Sequence, residues 1–315
     1  MSEAKSQSYL QLIRFPLVFT AWSDVLTGYF IFMAQTGGAF ESARIAVMLA
    51  ISVGLVAGGM TLCDCFGYEA DKEHGVPRTL PVGVVSIHGS FAVASILILL
   101  SIAAASLVSS MACLLSALAA LLLVVFAALT RELPVLSSLN LALIRGLNVI
   151  FGMAFAHQGG LPLGNLEAWG AVAALVAYVF LVTQIASEEE HPRRERLLRL
   201  TGGLVVLLVL LNVFLYVSPL SRADALLCVA TSVFVAGTVA RLLQLARRSV
   251  HELSSESVQK LAVAGLVGSI VLNANFAAFT GDDAATFGVL FLLLPTFLMF
   301  RFFHALYPGT RSAID

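Results

Sequence analysis

The chain has 315 residues, of which 59% are hydrophobic and 12% are charged, and its mean hydropathy is +0.94. This composition leaves too little polar surface for a soluble domain, so we expect the lipid bilayer to be the main solvent. The formal net charge is −1 and the basic residues are spread over several short loops. Nucleic acid is therefore not an expected partner.

Apolar runs close to the length that crosses a hydrocarbon core of about 30 Å recur along the whole chain. They are about twice as long as barrel strands and do not alternate, which indicates helices. We therefore predict an all-α, polytopic membrane bundle of nine to ten transmembrane helices, with ten preferred, formed by residues 1–315 as a single domain. The ten predicted segments are 10–34, 42–66, 87–109, 111–130, 139–157, 166–187, 200–217, 223–245, 259–280 and 284–304.

The basic residues predict the orientation, because Lys and Arg are enriched on the cytoplasmic side. With ten segments, one side collects nearly all of the Lys and Arg outside the membrane, while the other side has only Arg44 and Arg222. Both termini are then expected on the cytoplasmic face of what we take to be a bacterial inner membrane. Nine segments would place Asp282 and Asp283 on the same side as Arg301, so we prefer ten.

The first polar cluster lies where the second segment ends. If the helix continues, Asp64 and Asp71 are two turns apart, so both carboxylates project from one face with Gly67 between them. Mg²⁺ prefers oxygen ligands, commonly one or two carboxylates together with phosphate oxygens of a substrate. Lys72 and Arg78 are close enough in sequence to meet remaining phosphate charge. The pattern is typical of a diphosphate site, and a solvated cytoplasmic loop is the alternative.

The second polar cluster closes the sixth segment, before Pro192. Ser187 and Glu190 share one face if the helix reaches them, and three consecutive acids, 188–190, stand there. Acidic residues at a helix C-terminus oppose the macrodipole. They therefore indicate a bound cation, pairing with the arginines that follow, or plain solvation.

A third group is buried in the predicted membrane segments. Asp24 lies ten residues beyond Arg14, about 15 Å along a helix, which places it near mid-membrane. Arg145 and Asn148 are one turn apart in the fifth segment. Because an ionisable residue in hydrocarbon is costly, this group indicates either a structural ion pair or a substrate-facing role. Three further residues are expected to form interhelical hydrogen bonds, namely Asn212, Asn273 and Asn275.

These motifs resemble those of the UbiA superfamily of intramembrane prenyltransferases, over most of the chain. The family's first aspartate-rich motif, Asn-Asp-x-x-Asp-x-x-x-Asp, aligns without gaps with 63–71, and its following loop aligns with 78–83. Arg14 before Pro16 and the Arg145-to-Asn148 pattern also fit. The chain departs from the motif at Cys63 and Gly67, where the family has Asn and Asp.

The sixth segment lacks the family's usual second aspartate motif. Ser187 to Glu190 is similar to the Ser-x-x-Glu of a divergent UbiA-like subgroup found in bacterial Ebo-type gene clusters. The tenth segment and Asp24 also resemble that subgroup.

The resemblance implies Mg²⁺-dependent transfer of a prenyl group from a prenyl diphosphate to a hydrophobic acceptor, for which an aromatic compound is one candidate. It implies that residues of two helix ends hold Mg²⁺, that basic residues neutralise the diphosphate, and that membrane-embedded polar residues position the acceptor. The expected metal ligands are Asp64, Asp71, Ser187 and Glu190, the diphosphate-binding residues are Lys72, Arg78 and Arg145, and the catalytic residues are Asp24, Arg145 and Asn148.

Two other functions stay open. The loss of family ligands at Cys63 and Gly67 is compatible with a non-catalytic protein that binds or moves an isoprenoid or another membrane lipid. An ion-coupled transporter built on Asp24 and Arg145 would predict inverted repeats with matching broken segments, and the sequence shows no such internal similarity.

Overall fold

In the computed structural model, the described residues are 16–36, 41–73, 80, 85–130, 133–156, 166–189, 191–217 and 221–306. Every regular element in this part of the chain is helical, as the composition predicts. The helices are α1 (Pro16–Thr36), α2 (Ser42–Phe66), α3 (Tyr68–Glu73), α4 (Ile87–Val108), α5 (Ser110–Val125, continued by a π-helical turn Phe126–Thr130), α6 (Pro134–Ala156), α7 (Leu166–Ala186), α8 (Arg194–Val217), α9 (Ala225–Glu252), α10 (Ser255–Phe279), α11 (Asp283–Phe291) and α12 (Leu293–Leu306).

Several helices begin where a side chain can satisfy a free backbone N–H group. The Oγ atom of Ser86 accepts from Gly89 N at 3.1 Å at the start of α4, and Asp224 Oδ1 accepts from Leu227 N at 2.8 Å at the start of α9. Such caps satisfy backbone donors that have no partner within the helix. The same arrangement starts three more helices, at Ser109, Ser254 and Asp282.

The last predicted segment, 284–304, is interrupted in the structure at Leu292, between α11 and α12. Pro295 explains the interruption, because proline has no backbone N–H and its ring collides with the carbonyl group four residues earlier, here that of Phe291.

Three helices form the centre of the bundle. Residues of α1, α6 and α10 belong to both of the large hydrophobic clusters, one of which includes α2, α4, α5 and α11 and the other α7, α8 and α9. The backbones of α1 and α6 touch at two glycines. A Cβ atom on Gly28 would lie 1.9 Å from Val149 O, and one on Gly152 would lie 2.0 Å from Val25 O.

The outside of the bundle is apolar, as a lipid-facing surface must be. Leu107, Leu129 and Val217 are 89%, 71% and 69% exposed. Nine helical spans in the described residues are long and apolar enough to cross a membrane, and Val18–Ala34 within α1 is a shorter apolar helix. The chain is thus a multi-pass membrane protein, which confirms the predicted class, while the preferred count of ten stays a prediction.

Candidate functional site

The two aspartates of the first polar cluster are buried at the junction of α2 and α3. The α2 helix ends at Phe66, and Gly67, with φ −83° and ψ −2°, keeps a helical turn before α3 begins. The chain direction is therefore nearly maintained, and Asp71 N donates to Gly67 O at 2.9 Å. Asp64 and Asp71 are both buried, whereas three neighbours in α3 are exposed, namely Glu69, Lys72 and Glu73. Both aspartates thus avoid the solvent-facing side of this junction, and their projection from one face as a pair of metal ligands stays a prediction.

The expected diphosphate-binding residues near this junction have different positions. Lys72 is exposed, and its Nζ atom lies 5.8 Å from the centroid of the Tyr68 ring. Arg78 lies outside the described residues, as does the loop around it. Within the described part of the chain, no three His, Cys, Asp or Glu side chains come together to hold a metal ion. A metal bound between Asp64 and Asp71 would therefore need further oxygen ligands from a substrate or from water.

The second polar cluster differs from the expected helical arrangement. The α7 helix ends at Ala186, so the helical face that was expected to join Ser187 to Glu190 does not extend to them. Ser187 is exposed and its hydroxyl donates to Gln184 O at 2.9 Å. Glu190 lies outside the described residues. The role of both as metal ligands stays a prediction.

The acid that the structure buries in this segment is Glu188, whose side chain is 2% exposed. Arg193 binds it through two parallel hydrogen bonds from one edge of its guanidinium group, Nη2 to Oε1 at 2.7 Å and Nε to Oε2 at 3.0 Å. Arg196 Nη1 adds a contact to Oε1 at 2.8 Å. The hydrogen bond from the Arg193 side chain lowers the pKa of Glu188, and the charges of Arg196 and Arg193 also lower it, while burial acts in the opposite direction.

This ion-pair cluster is tied to two neighbouring helices through Gln184. Its Oε1 atom accepts from Arg196 Nη2, and its Nε2 atom donates to Pro134 O and Ser138 Oγ, both at 2.9 Å. Glu189 Oε1 accepts from Ser255 Oγ at 2.8 Å. The end of α7 and the segment that follows it are therefore connected to the N-terminal parts of α6, α8 and α10.

The third group forms a buried ion pair. Arg145 Nε lies 2.6 Å from Asp24 Oδ2, and Arg145 Nη2 donates to Asp24 Oδ1 at 3.0 Å. The guanidinium group also donates to Thr20 Oγ1 at 2.7 Å, to Thr20 O at 2.9 Å and to Ser269 Oγ at 3.0 Å. Asp24 and Arg145 are thus joined as the sequence suggests, and the geometry favours the structural ion pair over a substrate-facing role.

Two amides complete the surroundings of Asp24. Asn273 Nδ2 donates to Asp24 Oδ1 at 2.7 Å and to Ser23 Oγ at 2.8 Å, while Asn148 Nδ2 lies 3.5 Å from Asp24 Oδ2. The helices α1, α6 and α10 are therefore joined by one polar cluster inside the membrane. Elsewhere, Asn212 Nδ2 donates to Asn275 Oδ1 at 3.0 Å, so the predicted interhelical bonding of these asparagines is confirmed.

Gln184 and Glu188 belong to the polar cluster that the sequence places before Pro192, and pairing with the arginines that follow is one of the alternatives given for its acids. Glu188 pairs in this way, with Arg193 and Arg196. Thr20 and Ser269 were not among the predicted site residues. Neither carries a signal in the sequence, because serine and threonine in membrane helices usually bond to their own helix.

One curated relative matches part of the chain. It is the digeranylgeranylglyceryl phosphate synthase of Methanoculleus marisnigri, which is 32% identical over 139 residues, or 44% of this chain and 47% of that protein. The chain thus matches about half of the length of this relative. No family model matches the chain.

Solved structures of similar shape cover nearly the whole chain. The apo UbiA homologue of Aeropyrum pernix K1 has a TM-score of 0.59 and 21% identity, covering 84% of this chain and 96% of its own. The UbiA homologue of Archaeoglobus fulgidus bound to DMAPP and Mg²⁺ has a TM-score of 0.55 and 16% identity, covering 90% of this chain and 99% of its own. At these identities the likeness establishes the fold, and the chain has the fold of the UbiA homologues.

Proposed function

We propose that the protein transfers a prenyl group from a prenyl diphosphate to a lipophilic acceptor within the membrane, with Mg²⁺ as cofactor. The observation that carries the proposal is the pair of buried carboxylates at the α2–α3 junction, Asp64 and Asp71. Two carboxylates fit Mg²⁺, which is commonly bound by one or two of them together with phosphate oxygens. When bound there, Mg²⁺ would supply the positive charge that stabilises a leaving diphosphate.

Similar proteins support the same chemistry. The matched relative is named digeranylgeranylglyceryl phosphate synthase. One structure of the Archaeoglobus fulgidus homologue holds DMAPP with Mg²⁺, and another holds GPP with Mg²⁺. The length of the prenyl chain and the nature of the acceptor are properties of the individual protein, so the proposal specifies only a prenyl diphosphate and a lipophilic acceptor.

In the proposed reaction, the bond between the first prenyl carbon and the diphosphate oxygen breaks, and its electron pair leaves with the diphosphate. The acceptor forms a new bond to that carbon and loses a proton. Lys72 and Arg78 are proposed to neutralise the diphosphate, and Ser187 and Glu190 are proposed as further ligands of Mg²⁺. Positively charged groups in a water-poor site stabilise such developing charge more than they would in water.

Arg145, Asn148 and Asp24 were expected to contact the substrate from the membrane-embedded part. Arg145 is bonded to Asp24, Thr20 and Ser269, so contact with a diphosphate would require this cluster to open. We therefore propose a positioning role for Asp24 and Arg145, which fix α1 against α6. Asn148, only 3.5 Å from Asp24, keeps a donor that can reach an acceptor.

We further propose that the Lys/Arg-rich side of the bundle faces the cytoplasm of a bacterial cell, with both termini there. The charge distribution supports this orientation, because only Arg44 and Arg222 lie on the opposite side. Asp64 and Asp71 would then meet a diphosphate donor that is supplied from the cytoplasm.

A non-catalytic lipid-binding protein is the second candidate, and Cys63 and Gly67 favour it because they replace family ligands. The test uses purified protein, labelled prenyl diphosphates of several lengths and Mg²⁺, and measures released diphosphate with and without lipophilic acceptors. We expect Mg²⁺-dependent release that increases when an acceptor is present. Binding of the labelled donor without release at any Mg²⁺ concentration would instead establish the lipid-binding function.

A further inference from the structure

The longest helix of the bundle extends beyond the hydrocarbon core. The α9 helix has 28 residues, Ala225–Glu252, and a rise of about 1.5 Å per residue makes it about 42 Å long, against about 30 Å for the core. Counted from Ala225, about twenty residues cross the core. The core therefore ends near residue 245, on the side that carries most of the basic residues.

One face of α9 is mostly exposed along its length in the described structure. The opposite face packs against α8 and α10 through buried residues, namely Leu227, Thr231, Val235, Leu242, Leu245, Ala246 and Ser249. The exposed face carries Leu226, Val229 and Val233 in its first half. At about 100° per residue, Arg241, Arg247 and Arg248 fall within the same arc of about 120°, and all three are exposed. This face changes from apolar to basic where the hydrocarbon core ends.

The three arginines, which we call the α9 basic face, have no carboxylate partner among the described residues. Arg241 Nη1 donates only to Gln244 Oε1, at 3.1 Å, and Glu252, one turn after Arg248, makes no ion pair with it.

Four other cations on the Lys/Arg-rich side of the bundle are paired. Arg199 pairs with Glu195 at 3.3 Å, and Lys260 pairs with Glu256. Arg193 and Arg196 both bind Glu188. The α9 basic face therefore presents uncompensated positive charge directly to the surrounding lipid.

We propose that the α9 basic face binds the phosphate group of an anionic phospholipid whose acyl chains lie along Leu226, Val229 and Val233. The charge of the headgroup complements the arginines, and the apolar part of the same face complements the chains. Arg241, one turn inside the core boundary, can extend its guanidinium group outward to the headgroup. Basic side chains at the membrane surface each favour an anionic lipid by about fivefold in binding constant.

The test counts the lipids retained by the full-length protein in detergent that contains equal amounts of phosphatidylglycerol and phosphatidylcholine, by native mass spectrometry. We expect the wild type to retain phosphatidylglycerol in an excess of well over tenfold, since each arginine contributes about fivefold. The double variant Arg247→Gln/Arg248→Gln should lose this preference by about tenfold or more. A double variant of paired cations, Arg199→Gln/Lys260→Gln, removes the same charge and should keep the preference.

Three outcomes would overturn the proposal. The first is equal retention of both lipids by the wild type. The second is an equal loss of the preference in both double variants, which would assign the preference to net charge alone. The third is displacement of the lipid by inorganic phosphate but not by sodium chloride of equal ionic strength, which would assign the α9 basic face to a free anion. Because no prenyl diphosphate takes part, the result is independent of the proposed transferase activity.

Discussion

The carboxylate of Asp24 has no access to solvent, and several donors surround it. Arg145 and Asn273 donate to it directly, and Asn148 lies at the limit of hydrogen-bond distance. A buried ion pair gains little overall when desolvation is counted, but removal of one partner leaves an uncompensated charge. Removal of one partner should therefore lower the stability of the protein more than removal of both.

We predict that Asp24→Leu and Arg145→Met each lower the free energy of unfolding by about 3–5 kcal/mol. The double variant should lose less than either single variant, because it removes both charges from the membrane interior. Thermal unfolding in detergent, followed by intrinsic fluorescence, measures the three variants against the wild type. A double variant at least as unstable as the sum of the singles would contradict the ion-pair interpretation.

Glu188 gives a prediction for the dependence of stability on pH. Its pKa is lowered in the folded state, chiefly by the Arg193 side chain, so the stabilisation is present above the ordinary glutamate pKa of about 4.3. As the pH falls below about 4.3 and through the lowered pKa of the folded state, Glu188 becomes protonated and this stabilisation is lost. The wild type should therefore lose more stability between pH 6 and pH 3 than Glu188→Gln does. Parallel acid unfolding curves for the two proteins would show that Glu188 does not contribute.

Individual site residues were only partly predictable. The two-turn spacing of Asp64 and Asp71 is preserved by the nearly continuous α2–α3 path, and both are buried, while their role as metal ligands stays a prediction. Glu188 could not be chosen among three consecutive acids, because α7 ends at Ala186 and helical periodicity no longer decides which side chain is buried. Asn273 and Asp24 are 249 residues apart, and their contact depends on packing between α1 and α10.

At the scale of helices, the contact between α1 and α6 depends on two glycines. A methyl group on Gly28 or Gly152 would overlap a backbone carbonyl oxygen of the facing helix, which cannot move as a side chain can. Small residues allow such close approach between membrane helices, and dispersion forces then act between the backbones. This contact also holds Asp24 against Arg145, because the two residues lie on the same two helices.

We predict that Gly28→Ala and Gly152→Ala each lower the free energy of unfolding by about 1–3 kcal/mol, since added atoms force the helices apart. Gly202→Ala in α8 is the matched control, because nothing lies within 4 Å of the added Cβ atom there. Thermal unfolding of the three variants gives the comparison. Equal stability of all three would contradict the close approach of α1 and α6.

Helix boundaries were predicted well where polarity and hydrogen bonding change together. The second segment, 42–66, coincides with α2. The eighth was expected to end at 245, yet α9 continues to Glu252, and α8 begins at Arg194 rather than at 200. Apolar runs mark the hydrocarbon core, whereas a helix continues into the headgroup region as long as its backbone bonds are satisfied. Sequence hydropathy therefore predicts the part inside the core and misses the extensions.

For the whole molecule, the predicted orientation places the end of α7 in the cytoplasm and the start of α11 on the opposite side. Glu195 and Asp283 are exposed at these two places. In intact bacterial cells, a membrane-impermeant maleimide should label Asp283→Cys and leave Glu195→Cys unlabelled until the cells are opened. Labelling of Glu195→Cys in intact cells would reverse the orientation.

The overall architecture was predictable because the bilayer imposes helices of a set length on an apolar chain. The function is harder to predict than the architecture, because a protein with the same fold can bind a lipid without reacting with it. We propose that Asp64 and Asp71 are the residues on which this difference depends.

The decisive measurement is Mg²⁺-dependent release of diphosphate from a labelled prenyl diphosphate by the wild type, Asp64→Asn, Asp71→Asn and Glu73→Gln. Glu73 is the matched control, because it lies in the same short helix but is exposed. We predict that each aspartate variant loses about 100-fold or more of the release rate, whereas Glu73→Gln keeps it. Release that is unaffected in both aspartate variants would contradict a diphosphate site at the α2–α3 junction.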